Sequence, residues 1–214
     1  STILKKANIA HGGKALDNLK TVSMKGKFRF PRNPQELDMK LIADVNQEKI
    51  RYELTLNRRA ITIFQLDSSG GWSWDGYAKK PLTDVQKRDL RIVLRSGVFG
   101  MRTGALDDVQ ILRVDSTKNP NRDTVWMSFE GKTYNMVFDE NNRVLAEGSI
   151  ENNNLALTTY EDFRVRSGIL IPFVESIANI PKASPSTITQ GNRVRLTSVV
   201  INPQIRSSEW AIPR

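Results

Sequence analysis

The sequence predicts a mainly β protein, an incomplete antiparallel β-barrel whose strongly curved sheet has a few helices covering its concave face. Apolar and polar residues alternate over successive short segments from Thr21 onward, which is typical of antiparallel strands with one covered face. Helical spacing occurs only near the N-terminus and in one segment at mid-sequence. Because so few helices are available to cover so many strands, a curved sheet around them is the economical arrangement.

The individual elements follow from local patterns. Residues 2–20 have apolar side chains at helical spacing, and Gly12-Gly13 interrupts them, which predicts two short helices meeting at a turn. A further helix is predicted over residues 82–97, with Thr83 as its N-cap and Gly97 as its C-cap. Strands are predicted in TVSMKGKFRF, ELDMKLIAD, KIRYELTL, AITIFQL, GWSWDG, DVQILRVD, DTVWMSFEG, KTYNMVFDE, NRVLAEGSI, LALTTYEDFRVRSGILIPF and NRVRLTSVVINPQI. No repeat or long linker divides the chain, so we expect a single domain over residues 1–214.

Composition narrows the classes of function. The chain has 214 residues, no cysteine and a net charge of +9, with a pI near 9.9. The absence of cysteine excludes thiol catalysis, thiolate metal sites and disulfides, and it fits an oxidising compartment. The positive charge leaves two interpretations open: an anionic partner, or a solvated basic surface without one. The chain opens at Ser1 without a methionine and shows no signal peptide, which fits a processed product whose targeting segment has been removed.

Side chains for catalysis are scarce, so we expect a non-enzymatic protein. His11 is the only histidine, and its place beside two glycines predicts a capping or surface residue rather than a general base. The acidic pairs at 107–108, 139–140 and 161–162 are adjacent in sequence, so on strands they point to opposite faces and do not converge. No metal site, nucleotide-binding fingerprint or other cofactor site is predicted.

A basic row on the first strand raises the alternative of nucleic-acid binding. Lys25, Lys27 and Arg29 alternate along this strand, and Arg51 extends the row from another strand. Binding of single-stranded nucleic acid requires aromatic side chains among the basic ones. The nearby aromatic residues point to the opposite face, so we expect a solvated outer face and no nucleic-acid partner.

The apolar face of the predicted sheet is rich in methionine and phenylalanine. Such residues at alternating positions form either a plain core or the lining of a cavity for flexible chains, and the two have the same periodicity. If a cavity is present, its lining is predicted to be Met24, Phe28, Met39, Leu41, Tyr52, Leu54, Met127 and Phe129.

Four segments together resemble the LolA/LolB-like lipoprotein carrier superfamily. They are ANIAHGGKALDNL near the N-terminus, GGWSWDG before the mid-sequence helix, YEDFRVRSGILIPF, and VVINPQIRSSEWAIP at the end. Each segment alone is weakly specific, but their order and spacing match the family over roughly residues 3–213. The mid-sequence helix is followed by VFGMRTGALDDV, which departs from the loop of true carriers.

This resemblance implies a half-barrel whose hydrophobic cavity receives acyl chains of lipids or lipoproteins in the periplasm or at the outer membrane. It also implies an arginine that ties lid helices to the barrel. Arg51 is the candidate, although the alternation places it on the exposed face. The alternative is an envelope sensor or scaffold that contacts a protein partner or an anionic membrane surface. Oligomeric state is not predicted.

The segment YEDFRVRSGILIPF begins as an alternating strand and ends in apolar residues. Val165 is predicted to face the covered side of the strand, and Tyr160 the other side. Gly168 breaks the register, and Pro172 removes a donor from the strand ladder. Ile169, Ile171 and neighbouring apolar residues are therefore expected to pack at a barrel end rather than to contact ligand.

Overall fold

A computed structural model describes residues 2–31, 33, 35–118, 121–151, 154–181 and 191–212. Its helices are α1 (Thr2–Ala10), α2 (Lys14–Asp17) and α3 (Asp84–Val93), with 3-10 turns at Phe99–Met101 and Ser207–Trp210. Its strands are β1 (Thr21–Arg29), β2 (Glu36–Asp44), β3 (Lys49–Leu56), β4 (Arg59–Leu66), β5 (Trp72–Trp74), β6 (Lys79–Pro81), β7 (Gln110–Lys118), β8 (Asn121–Phe129), β9 (Lys132–Phe138), β10 (Val144–Glu151), β11 (Asn154–Arg166), β12 (Ile169–Pro181) and β13 (Asn192–Ile201).

These strands form one open sheet, which confirms the predicted fold class. The strand order is β6-β5-β4-β3-β2-β1-β13-β12-β11-β10-β9-β8-β7. Neighbours such as β1 and β2, or β11 and β12, pair antiparallel. Most strands therefore pair with the strand that precedes or follows them in sequence, as expected of a meander.

The chain also divides into two compact units, each made of two separate segments. Unit 1 comprises Ser1–Asp17 and Arg95–Arg193, and unit 2 comprises Asn18–Leu94 and Val194–Arg214. Whether the whole of residues 1–214 acts as a single domain stays a prediction.

Local signals placed the helices well, with one difference at the end of α3. The two N-terminal helices meet at Gly12-Gly13, both of which have positive φ. Thr83 caps α3 in a reciprocal capping box with Gln86, as the sequence indicates. However, α3 ends at Val93 rather than near Gly97. The residues that follow the helix, such as Leu94 and Val98, are buried in a non-helical segment.

His11 lies in the core of unit 1, so its prediction as a capping or surface residue was wrong. The ring is fully buried: its Nε2 accepts a hydrogen bond from the Val144 N–H at 3.0 Å, and its Nδ1 donates to the Leu170 carbonyl at 2.8 Å. Burial lowers the pKa of His11, which keeps the ring neutral. The neutral tautomer fits these two bonds, so His11 ties the α1 turn to β10 and β12.

The turn after α1 meets the loop between β11 and β12 at very close range. Gly12 lies so near Gly168 that a methyl group on Gly12 would overlap the Gly168 carbonyl oxygen. Ile169 and Ile171 are buried beside this contact, as expected for a packing role. Val165 is 61% exposed, so its predicted burial was wrong. The positive φ of Asp162 interrupts the regular strand just before it.

Candidate functional site

Six of the eight predicted ligand-binding residues lie on one face of unit 2. Met24, Leu41 and Tyr52 are direct partners across β1, β2 and β3, and Phe64 on β4 continues this row. The other members of the face are paired in the same registers: Met39 with Leu54, and Phe28 with Leu37.

This face is only partly covered. Met24, which lies on β1, is buried, whereas Leu41, Tyr52 and Phe64 are half-buried along the row that crosses β2, β3 and β4. We call these three residues the apolar row. A row of large apolar side chains that keeps contact with solvent differs from a closed core, where such side chains are fully buried.

The remaining two predicted residues lie in the core of unit 1. Met127 is fully buried and Phe129 nearly so, and the Arg95 guanidinium lies 4.4 Å from the centre of the Phe129 ring. Their neighbours Met136 and Phe138 are also fully buried. That Met127 and Phe129 contact a ligand stays a prediction.

Helix α3 belongs to unit 2 and packs loosely there. None of its ten residues is buried, and Val85 and Val93 are exposed. Few buried apolar contacts and exposed backbone are the features of a segment with low local stability. Unit 2 therefore combines a partly exposed apolar face with a helix that has no buried residue.

Arg51 lies in a buried polar cluster, so its predicted exposure was wrong. Its guanidinium donates to the Ala211 carbonyl at 2.8 Å and to Gln65 Oε1 at 3.2 Å, and it pairs with Glu53 at 2.8 Å. The ring of Trp72 lies 5.4 Å away. The C-terminal segment covers this part of the outer face of unit 2, which is why alternation alone misassigned Arg51. The resemblance implies that this arginine contacts a lid helix. Among the described residues, Arg51 instead bonds to the C-terminal segment, to Gln65 and to Glu53.

The basic row on β1 is exposed, as predicted. Lys27 pairs with Asp38 at 2.6 Å, and this hydrogen bond raises the pKa of Lys27. Lys25 and Arg29 are also exposed, and so is Arg195 on β13, the neighbour of β1 in the sheet. In the part of the chain that the structure describes, Lys25, Arg29 and Arg195 have no ion-pair partner.

Unit 1 contains an acidic cluster that sequence analysis missed. Glu147 on β10 is the partner of Thr158 on β11, and Tyr160 is the partner of Glu175 on β12. Thr158 and Tyr160 are two residues apart on one strand, so all four side chains share one face. Tyr160 was predicted to lie on the uncovered side, whereas it is half-buried in this cluster.

Burial raises the pKa values of both carboxyl groups. For Glu147, interactions with the hydroxyls of Ser96 and Tyr160 and with the Gly97 N–H lower the pKa, but less than burial raises it. Burial, together with repulsion from Glu147, raises the pKa of Glu175 to about 7. The Oε2 oxygen of Glu147 is inaccessible to solvent, and the Ser96 and Tyr160 hydroxyls and the Gly97 N–H surround the carboxyl group without reaching ideal hydrogen-bond geometry to this oxygen. Raised pKa values of neighbouring carboxyl groups occur both in functional sites and in buried structural networks.

One signal for this cluster was present in the sequence. Glu175 interrupts the apolar run ILIPFVESIANI, and charged residues are rarely placed in such a run without a specific environment. The convergence with Glu147 depends on how β10, β11 and β12 pair, which the sequence pattern does not specify. The acidic pairs that are adjacent in sequence do not converge, because neighbouring residues on a strand point to opposite faces.

A surface cleft of about 530 Å³ lies in unit 1, where α1 meets the turn Phe99–Met101. Its walls are mainly apolar, with Leu4 and Ile9 on one side and Leu106 and Ile111 on the other. Asn8 donates hydrogen bonds to Asp17 and to the Met101 carbonyl, which fixes this end of α1. None of the eight predicted ligand-binding residues lines this cleft.

Clusters of metal ligands and membrane-spanning helices are both absent from the described ranges. No three histidine, cysteine, aspartate or glutamate side chains come together there as ligands for a metal ion. No helix among these residues is long and apolar enough to cross a membrane.

The chain is similar to known proteins in structure, whereas comparisons of sequence find no match. No protein-family model matches the chain, and no curated protein is significantly similar to it. A LolA superfamily protein from Nitrosomonas europaea superposes with a TM-score of 0.61 at 12% identity, covering 99% of this chain and 96% of that one. A domain assigned as an outer membrane lipoprotein-sorting protein from Vibrio parahaemolyticus gives 0.60 at 11% identity, over 97% and 95% of the two chains.

The chain has the LolA-like fold. The similarity extends over nearly the whole length of both chains in each comparison, so it is not limited to a local motif. A DUF1329 family protein from Desulfovibrio piger shows the same relationship, with a TM-score of 0.63 at 5% identity, over 98% of this chain and 96% of that one. The LolA-like fold that the four sequence segments implied is thereby confirmed.

Proposed function

We propose that this protein is a non-enzymatic cell-envelope protein that binds acyl chains of lipids or lipoproteins on the apolar face of unit 2. The apolar row of Leu41, Tyr52 and Phe64 carries this proposal, since it leaves large apolar side chains half-buried beside buried Met24. The LolA-like fold supports the same function, because one solved structure with this fold is assigned as a lipoprotein-sorting domain.

The chemistry of the apolar face suits a flexible hydrocarbon chain. Methionine side chains are unbranched and polarizable, so Met24 and Met39 can adapt to different chain conformations. Burial of apolar surface supplies the binding free energy, at about 0.8 kcal/mol for each buried methylene group. Affinity should therefore rise roughly fourfold for each added methylene until the face is covered, and it should depend little on salt.

The proposal also places the protein in the periplasm or at the outer membrane, with transport of lipids or lipoproteins as its role. Helix α3 belongs to the same unit as the apolar row and has no buried residue.

The test is acyl binding to the purified protein, followed by substitution in the apolar row. Wild type is expected to bind dodecanol and a fluorescent fatty acid, and to retain lipid in native mass spectrometry after expression in an envelope compartment. The substitution Leu41→Asp places a charge in the row and should weaken acyl binding at least about tenfold, since a buried unpaired charge is costly.

A matched control is Val200→Asp on β13. Val200 is an exposed apolar residue of the same unit and is not part of the apolar row. This variant should bind acyl probes as wild type does. Wild-type protein that takes up no acyl probe, or equal losses in both variants, would contradict the proposal.

A second candidate function is contact with an anionic membrane surface or an acidic envelope protein. The exposed Lys25, Arg29 and Arg195 favour it, since they have no ion-pair partner among the described residues. Such binding depends on charge and is screened within about 8 Å at physiological salt. Binding to vesicles that contain phosphatidylglycerol should then fall steeply between 50 mM and 500 mM salt, whereas acyl binding should not.

A further inference from the structure

We propose that β7 is a docking edge for a second copy of this chain, with the two β7 strands paired antiparallel about a two-fold axis. This pairing continues the sheet of one protomer into the sheet of the other. Strand β7 belongs to unit 1 and contributes no residue to the apolar row of unit 2. The inference therefore goes beyond acyl binding and can be tested separately from it.

The two outer strands of the sheet differ in how they are protected against pairing. Strand β6 has only three residues, and Lys79, Lys80 and Pro81 are all exposed. A short edge strand with lysine and proline is a common protection against another strand. Strand β7 has nine residues and no proline, and its only lysine is its last residue. The strand order of the described residues ends with β7, so its outer backbone edge is open to a further strand.

The middle of β7 exposes apolar side chains. Leu112 is 46% exposed and Val114 is 42% exposed. Strand β7 pairs regularly with β8 from Arg113 onward, after an irregularity between Ile111 and Arg113. Within this regular part, Val114 lies on one face of the sheet, and Arg113 and Asp115 lie on the other. A second strand beside β7 would cover Val114 without disturbing the pairing with β8.

The two charged side chains of this edge are held in place by one tryptophan. Arg113 and Asp115 form an ion pair at 3.0 Å. The Trp126 Nε1 donates a hydrogen bond to Asp115 Oδ2 at 2.8 Å, and the Arg113 guanidinium lies 4.8 Å from the centre of the Trp126 ring. Trp126 is the partner of Arg113 on β8. The edge therefore presents a positive and a negative group in fixed positions, two residues apart on one face.

The order of these charges selects one register for self-pairing. When two β7 strands pair antiparallel about Val114, Arg113 of each copy lies directly opposite Asp115 of the other copy. Opposite charges in directly opposed positions stabilise a strand pair, and like charges destabilise it. Pairing about Arg113 would place two arginines opposite each other, and pairing about Asp115 would do the same with two aspartates. Strand β7 is thus complementary to itself about Val114, which favours a second copy as its partner.

The size of the interface sets the expected strength of the dimer. One strand pair buries little surface, so the dimer should dissociate at micromolar concentrations, as small transient interfaces do. Sedimentation velocity of wild type, from about 1 µM to about 200 µM without detergent, measures this equilibrium. The average mass should rise from the 24.2 kDa of one chain toward twice that value.

The variant Val114→Lys tests the centre of the interface. It removes the contact between two valines and places two lysines directly opposite each other, so the dissociation constant should rise at least about tenfold. The matched control is Val165→Lys, at an exposed valine of unit 1 on β11, which lies between β10 and β12 in the sheet. This control should dimerise as wild type does.

A charge exchange tests the register. Arg113→Asp and Asp115→Arg each place like charges opposite each other at both ends of the pair, so each should weaken the dimer at least about fivefold. The double variant with both substitutions restores opposite charges and should return the dissociation constant to within about twofold of wild type. Circular dichroism should show the wild-type fold in every variant, because these side chains are exposed.

Three outcomes would overturn the proposal. Wild type that remains monomeric at every concentration refutes a second copy as the partner of β7. A dimer that Val114→Lys leaves unchanged forms through another surface. A double variant that dimerises no better than either single variant refutes the register about Val114. None of these outcomes affects acyl binding, which is measured on different residues.

Discussion

The apolar faces of the two units have the same alternating pattern in sequence but differ in how completely they are covered. In unit 1, Met127 and Met136 are fully buried, whereas in unit 2 Leu41 and Tyr52 are only half-buried. Alternation determines which side chains share a face, but it does not determine what covers that face. The cover of a face comes from other segments, about which the alternation within its strands carries no information.

The polar groups differ in a parallel way. Unit 2 buries a cation, Arg51, and satisfies it with Glu53, Gln65 and a carbonyl group. In unit 1, burial instead raises the pKa of Glu147, which favours the neutral form of its carboxyl group. An ion pair around a buried cation and a carboxyl group kept neutral are two ways in which a fold accommodates a polar side chain.

The largest expected effect tests whether the two apolar faces differ in packing. Met127→Ala removes a fully buried side chain and should lower the free energy of unfolding by about 3–4 kcal/mol. Leu41→Ala should cost about 1–2 kcal/mol, because its side chain is already partly exposed. Urea denaturation of both variants measures the difference. Similar losses at the two positions would mean that the unit 2 face is as closed as the unit 1 core.

The next effect concerns His11. His11→Ala leaves the Val144 N–H and the Leu170 carbonyl without their partners and removes a buried ring, so it should cost about 3 kcal/mol of unfolding free energy. Ile9→Ala, at an exposed position on α1, is the control and should change stability by less than about 0.5 kcal/mol. Denaturation at pH 8 keeps the imidazole neutral in both the folded and the unfolded state of wild type. A loss under 1 kcal/mol for His11→Ala would show that its two hydrogen bonds do not stabilise unit 1.

The smallest of the three effects is the pH dependence due to Glu175. Its folded-state pKa of about 7 lies above the ordinary 4.5, so the folded protein retains a proton that the unfolded chain releases between these values. The unfolding free energy of wild type should therefore fall as pH rises from about 4.5 to about 7, and then level off.

Comparison with Glu175→Gln isolates this contribution. The full shift corresponds to about 3 kcal/mol, and partial exposure of the side chain reduces this to about 2 kcal/mol. The variant should gain stability relative to wild type by this amount between pH 5 and pH 8 in urea titrations. A constant difference across this range would mean that Glu175 titrates as an exposed glutamate does.

Local features of the structure were predictable from sequence, and those set by distant segments were not. The Thr83 capping box and the Gly12-Gly13 turn depend on neighbouring residues, so the sequence pattern reveals them. His11, in contrast, bonds to Leu170, which is 159 residues away, and Arg51 bonds to Ala211, which is 160 residues away. Burial imposed by such partners overrides the exposure that alternation predicts.

The candidate site was predicted in part for the same reason. The positions of Leu41 and Tyr52 on one face follow from strand period, and the structure places them together. Their exposure depends on which other segments cover the face, and the pattern carries no information about that. The acidic cluster depends on the pairing of three strands, so it required the structure.

The segmented composition of the two units has a consequence for how the chain folds during synthesis. The Asn202 N–H bonds to the Thr21 carbonyl, and the Leu170 N–H bonds to the His11 carbonyl. These hydrogen bonds can form only after the C-terminal part of the chain has been synthesised. Contacts between residues so far apart in sequence slow folding, because the entropy of closing the loop is lost before the contact stabilises the chain. A ribosome-bound chain that ends before Leu170 can already pair β1 with β2, but it still lacks β13, the other neighbour of β1, and the β12 partner of the His11 carbonyl.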